Sequence, residues 1–131
     1  MKPKILIVDD SRPMRQILRR SVQMALEDGV ELRDAEHGAA ALKALAEEPV
    51  DLVLTDVNMP RMDGITLVAQ LRTLPSYHFT PLLLLTTESS QERKMQGKQA
   101  GATGWMVKPF NPDQLLATLE RVLGNKTALR A

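Results

Sequence analysis

The stretch DLVLTDVNMPRMDG, residues 51–64, decides how the chain is read. Leu52-Val53-Leu54 is a continuous apolar run. Continuous apolarity, rather than alternation, is what a parallel strand covered on both faces requires. The run delivers a carboxylate, Asp56, to its C-terminal end, and Pro60 and Gly64 then turn the chain. A lone carboxylate there could cap a helix or sit solvated in a loop. Its meaning depends on what the other strands bring beside it.

Runs of the same kind occur at Ile5-Leu6-Ile7-Val8 and Leu82-Leu83-Leu84-Leu85, with weaker ones at Val30 to Ala35 and Trp105-Met106-Val107. Between them lie apolar stripes with spacings of three and four, the signature of amphipathic helices. These are Met14, Ile17, Leu18 and Val22; Leu42, Leu45 and Ala46; Ile65, Val68 and Leu71; and Leu115, Leu119 and Val122. Ser11 with Pro13 starts the first helix, Ser89 with Glu92 forms a capping box, and Asn111-Pro112 starts the last helix, which Gly124 ends. Strands alternating with helices in this order predict an α/β fold: a doubly wound, flavodoxin-like sheet of five parallel strands with five helices and right-handed crossovers. The segment SSQERKMQGKQAG, residues 89–101, stands apart, with few apolar residues and a glycine inside the helix. It should pack lightly and move easily.

The chain has 131 residues, which suits one domain. Residues 1–124 are expected to form it, with a flexible polar tail at 125–131 and no output domain. Hydrophobic residues make up 44%, enough for a core, and the formal net charge of +1 shows no basic excess for nucleic acid or a membrane surface. Without cysteine there is no disulfide, thiol nucleophile or thiolate metal site. The N-terminal MKPKILIVDD is too short in apolar residues for a signal peptide. No segment approaches the roughly 18 apolar residues of a membrane span. A cytoplasmic, monomeric domain is the expectation.

Ligands of open α/β sheets bind beyond the carboxyl ends of the strands. Those ends carry Asp9 and Asp10, then Asp56, Thr86 and Lys108. In the common strand order 2-1-3-4-5, the first and third strands are neighbours, so three carboxylates would share one pocket with a hydroxyl and an ammonium on its rim. Such carboxylates repel by roughly 4 kcal/mol per pair at an effective dielectric near 20. A hard divalent cation relieves the repulsion, and Mg²⁺ suits carboxylates, waters and phosphate oxygens. A carboxylate is also a nucleophile toward phosphorus. Asp56 would attack, while Lys108 and Thr86 would bind phosphoryl oxygens.

ILIVDDS, LVLTDVNMPRMDG, LLLLTTE and GWMVKPF resemble, in succession, the motifs of a response-regulator receiver domain, of the stand-alone chemotaxis type, over about residues 3 to 124. The resemblance implies that Asp56 is the phosphoacceptor and Asp10 a direct Mg²⁺ ligand. Asp9 would reach the metal through water and Asn58 through its backbone carbonyl. It also implies a cis Lys108-Pro109 bond, a switch formed by Thr86 and an aromatic at Trp105, and a tuning of dephosphorylation by Asn58 and Glu88. Two positions depart from the family pattern. Thr87 stands where a small residue is usual, and Trp105 is larger than the usual tyrosine or phenylalanine.

Each of these residues has a plainer reading. Asp9 and Asp10 could cap the helix beginning near Ser11, Lys108 could be solvated, Thr86 could simply end a strand, and Trp105 could be packing. His37 and His78 read as surface residues, and GKQAGATG lies at a helix end, the wrong place for a phosphate cradle. The register of Asp9, Asp10, Asp56 and Lys108 favours the site. The function implied is a phosphorylation switch. A sensor histidine kinase, expected to be the chemotaxis kinase, would charge Asp56, and a target such as a flagellar motor switch component would bind the face around Trp105. A phosphatase would reset it. A phosphorelay intermediate or phosphate sink is the alternative. An aspartate-nucleophile phosphohydrolase would want a second acid where this chain has Asn58.

Overall fold

A computed structural model describes residues 2–87, 90–109 and 111–124. Five strands and five helices alternate: β1 (Lys4–Val8), α1 (Arg12–Ala25), β2 (Glu31–Ala35), α2 (Gly38–Glu47), β3 (Leu52–Asp56), α3 (Gly64–Arg72), β4 (Leu82–Thr86), α4 (Gln91–Ala100), β5 (Gly104–Val107) and α5 (Pro112–Leu123). A 3-10 turn, Pro75–Tyr77, precedes β4. The strands form one parallel sheet in the order β2-β1-β3-β4-β5, as expected.

Apolar runs became central strands because both faces are covered. Ile5 to Val8, Leu52 to Leu54 and Leu82 to Leu85 are all fully buried. Side chains alternate between two cores. Leu6, Val8, Val53, Leu82 and Leu84 face one, built with α2 and α3; Ile5, Ile7, Leu52, Leu54, Leu83 and Leu85 face the other, built with α1 and α5. The weaker runs are the edge strands. β2 buries only Ala35 and β5 only Met106.

The helix seams correct two expectations. In α1 the buried line is Leu18 and Val22, continued by Leu26 beyond its end, at strict spacings of four, so Ile17 falls on the flank and is 57% exposed. In α2 the seam is Gly38, Ala41 and Leu45, which leaves Ala46 outside it and exposed. Ser11 and Asn111 cap their helices as expected, their side chains accepting from Met14 N–H and Gln114 N–H. The N-cap of α4 is Ser90, which accepts from Arg93 N–H. The expected capping residue Ser89 lies outside the described residues, as do Glu88 and the tail at 125–131. α4 packs lightly: Gly97 is its only buried residue. Below the sheet, the Arg72 guanidinium donates to the carbonyls of Gly101, Tyr77 and Thr80, pinning α3 to the approaches of β4 and β5.

No helix among the described residues is long and apolar enough to cross a membrane.

Candidate functional site

Each site residue sits at a strand end and is held there by backbone bonds. Asp9 N–H donates to Ala35 O at 3.1 Å, extending the β1–β2 ladder by one rung. The Asp9 carboxylate then accepts from Ser11 N–H at 2.8 Å, and Arg15 grips the Asp9 carbonyl at 2.7 Å. Asp9 therefore does take part in starting α1, as the plainer reading held, while also facing the site. Asp56 ends β3 opposite Leu85 of β4, and Val57 N–H donates to Leu85 O at 3.1 Å. Lys108 follows β5, its N–H donating to Thr86 O at 2.7 Å. Lys108-Pro109 is cis.

The register brings the charges together. Asp9, Asp10 and Asp56 each offer a carboxylate oxygen, and these atoms all lie within 4.8 Å of one another. Lys108 Nζ stands 3.4 Å from Asp9 Oδ2 and 3.6 Å from Asp56 Oδ1. Asp9 is buried, Asp56 and Lys108 are mostly buried, and Asp10 is exposed. Burial pushes the Asp56 carboxyl above its ordinary range; Lys108 opposes that shift and Asp9 adds to it. The donor set is all hard oxygen and carries excess negative charge, which fits Mg²⁺ and suits neither a thiolate-loving metal nor a phosphate without a cation.

Thr86 is fully buried at the end of β4, beside the site. Asn58 lies two residues beyond Asp56 and is exposed, as is Thr87 at the mouth, where it lines a groove with Lys108, Pro109, Met14 and Ile17. Trp105 pairs in register with Leu84 and packs partly buried against the core on the α3 side. The larger indole is thus only partly buried.

Two residues of the site carried too little signal in the sequence to be assigned. A Cβ on Gly64 would come 2.2 Å from the main-chain carbonyl oxygen of Asp56, so only glycine lets α3 start directly against the end of β3. Just ahead of it, Arg61 adopts a left-handed backbone, φ 69°, at the tip of the turn. His37, expected only as a surface residue, caps α2: its Nδ1 accepts from Ala40 N–H at 3.0 Å.

Known proteins resemble the chain over nearly its whole length. The family model described as the response regulator receiver domain matches residues 5–120. A chemotaxis protein CheY homolog of Campylobacter jejuni is 38% identical over 122 residues, covering 92% of each chain. The solved structure of Vibrio cholerae chemotaxis protein CheY4 is 46% identical, with a TM-score of 0.86, over 93% of this chain and 99% of that one. The receiver domain of a Pseudomonas aeruginosa sensor histidine kinase, solved with a magnesium ion coordinated in its active site cleft, is 25% identical with a TM-score of 0.82, over 95% of this chain and 99% of that one.

Proposed function

We propose that this chain, which belongs to the response regulator receiver-domain family, is a two-component phosphorylation switch charged on Asp56. The carrying observation is Lys108 Nζ poised between Asp9 and Asp56 at 3.4 and 3.6 Å, beside a cluster of three carboxylates. In the step envisaged, an Asp56 carboxylate oxygen attacks the phosphorus of a kinase phosphohistidine. The new P–O bond forms as the P–N bond breaks, and the imidazole nitrogen leaves with the electron pair and takes up a proton. Asp10, Asp56 and the Asn58 carbonyl, with Asp9 through water, would hold Mg²⁺, which would supply charge neutralisation of the phosphoryl oxygens. Lys108 binds one of those oxygens and the Thr86 hydroxyl another, which draws Thr86 toward Asp56. That movement opens room under α4, and the face around Trp105 rearranges to meet a target.

Chemotaxis is the pathway we favour. The chemotaxis relatives are matched over 92% and 99% of their own lengths, so resemblance extends to the whole of a small protein of that kind. The kinase would then be a chemotaxis kinase and the target a flagellar motor switch component, in the cytoplasm, with the chain acting as a monomer. The test of the site is direct. Incubation with Mg²⁺ and acetyl phosphate should add one labile phosphoryl group, lost in Asp56→Asn and lost with chelator. Labelling retained in Asp56→Asn would overturn the assignment.

A further inference from the structure

Gly97 sits in the middle of α4 with ordinary helical backbone, so conformational freedom does not account for it. Space does. A Cβ there would lie 2.8 Å from Leu84 Cδ1 and 3.1 and 3.2 Å from Cζ3 and Cε3 of Trp105. The missing side chain leaves a notch in the helix, and the benzo ring of the indole lies against it. Leu84, Trp105's partner in the sheet, closes the floor of the notch. A flexible leucine tip can yield a few tenths of an ångström, but a fused ring with one neighbour in the sheet and another in the helix can only tilt as a unit.

A second observation concerns the other side of the same ring. Trp105 Nε1 is buried and has no hydrogen-bond partner among the described residues. No polar contact with a described residue holds the indole in place; packing against Gly97 and Leu84 does. The seated ring is thus held by shape, as a side chain that changes position with its surroundings requires. Thr86 stands two residues beyond Leu84 along β4 and so lies on the same face of the strand, in line to transmit movement from Asp56.

We infer that Gly97 is the positioning residue of the switch: its notch seats the Trp105 indole in the unphosphorylated state and makes α4 and the ring move together. The inference rests on the reading of Trp105 as the output aromatic given above, and the experiment separates the two. Melting temperatures are measured for the wild-type chain, Gly97→Ala, Trp105→Leu and the double variant. Indole emission and acrylamide quenching, with and without beryllofluoride and Mg²⁺, are measured for the two proteins that keep the tryptophan.

Helix propensity alone would make Gly97→Ala raise the melting temperature by about 2–4 °C. With the notch occupied, the substitution should instead lower it, shift resting emission to the red, increase quenching and shrink the beryllofluoride response. In the Trp105→Leu background the same substitution should raise the melting temperature, because the ring it collides with is gone. A rise in the wild-type background with unchanged emission overturns the inference. A fall of equal size in both backgrounds also overturns it, since Leu84 would then be the obstacle. A wild-type indole that ignores beryllofluoride, while Asp56 is demonstrably occupied, removes Trp105 as the switch; the melting cycle still reports whether the notch seats the ring.

Discussion

Asp56→Asn tests whether the site is held at the expense of stability. Asp56 lies within 4.8 Å of carboxylate oxygens on both Asp9 and Asp10. At an effective dielectric near 20 each contact repels by about 3.5 kcal/mol, and Lys108 at 3.6 Å returns about 4.6 kcal/mol. Asp10 is exposed, so its share is heavily screened. Burial adds a desolvation penalty for the charged form, in keeping with the raised Asp56 pKa, whose causes begin with burial. The remainder is small and unfavourable, of the order of 1 kcal/mol. Asparagine keeps the shape and removes the charge, and Lys108 keeps Asp9 as a partner. The metal-free variant should therefore melt about 3–5 °C above wild type near pH 7. The pH dependence has a definite sign. A carboxyl whose folded pKa is raised contributes stability that is fully present below its unfolded pKa and lost as pH rises through the folded pKa. The wild-type chain should thus lose stability as pH rises from the ordinary aspartate pKa through the raised folded one, and Asp56→Asn should flatten that loss. Scanning calorimetry in chelator from about pH 3.5 to 8 reads both effects. Adding Mg²⁺ should stabilise the wild type and barely touch the variant. A variant that melts below wild type at neutral pH, with Mg²⁺ stabilisation intact, would refute the electrostatic account.

Gly64→Ala should destabilise by about 2–3 kcal/mol in urea unfolding, because the intruding methyl meets backbone at 2.2 Å and α3 must shift. Its rate of labelling by acetyl phosphate should fall even well below the unfolding transition, since Asp56 is the residue displaced; normal labelling would show that the loop relaxes without it. Thr86→Ala should weaken the Trp105 emission change on adding beryllofluoride while leaving Mg²⁺ affinity, measured by titration, nearly unchanged. A large loss of Mg²⁺ affinity would place Thr86 in the metal site instead.

Most of the architecture was legible in the sequence because a parallel sheet buried on both faces needs continuous apolar runs, and three such runs are present undiluted at Ile5, Leu52 and Leu82. The site was legible for a related reason. Strand ends lie on one edge of such a sheet, so reading the residue that follows each run collects Asp9, Asp10, Asp56, Thr86 and Lys108 without knowledge of any contact. What stayed hidden depends on partners that only packing supplies. Ile17 fits a helical stripe as well as Leu18 does; which of them is covered depends on where α5 lies. Two adjacent serines precede α4, and the choice of Ser90 as cap is made by the entering backbone angle, φ −64° and ψ 145°. His37 caps α2 through one ring nitrogen, a role open only to a tautomer that leaves Nδ1 unprotonated. Gly64 and Gly97 look alike as letters, yet one makes room for a carbonyl of β3 and the other for an indole of β5.

The resting geometry of Lys108 suggests why the site can change state without rebuilding the fold. Its distances of 3.4 and 3.6 Å to Asp9 and Asp56 are both longer than the roughly 2.7–2.9 Å of a tight charge-assisted bond. The ammonium makes a long hydrogen bond to Asp9 and an ion pair with Asp56. A phosphoryl group on Asp56 would bring more negative charge to the side of the site that the flexible lysine stem already faces. Its backbone is a different matter. Lys108 N–H is bonded to Thr86 O at 2.7 Å, so the ends of β4 and β5 are tied to each other. Thr86 can answer the phosphoryl by turning its side chain while its carbonyl keeps Lys108 in place. The tie thus keeps the ends of β4 and β5 together while, in the switch proposed above, the Trp105 ring and α4 would move.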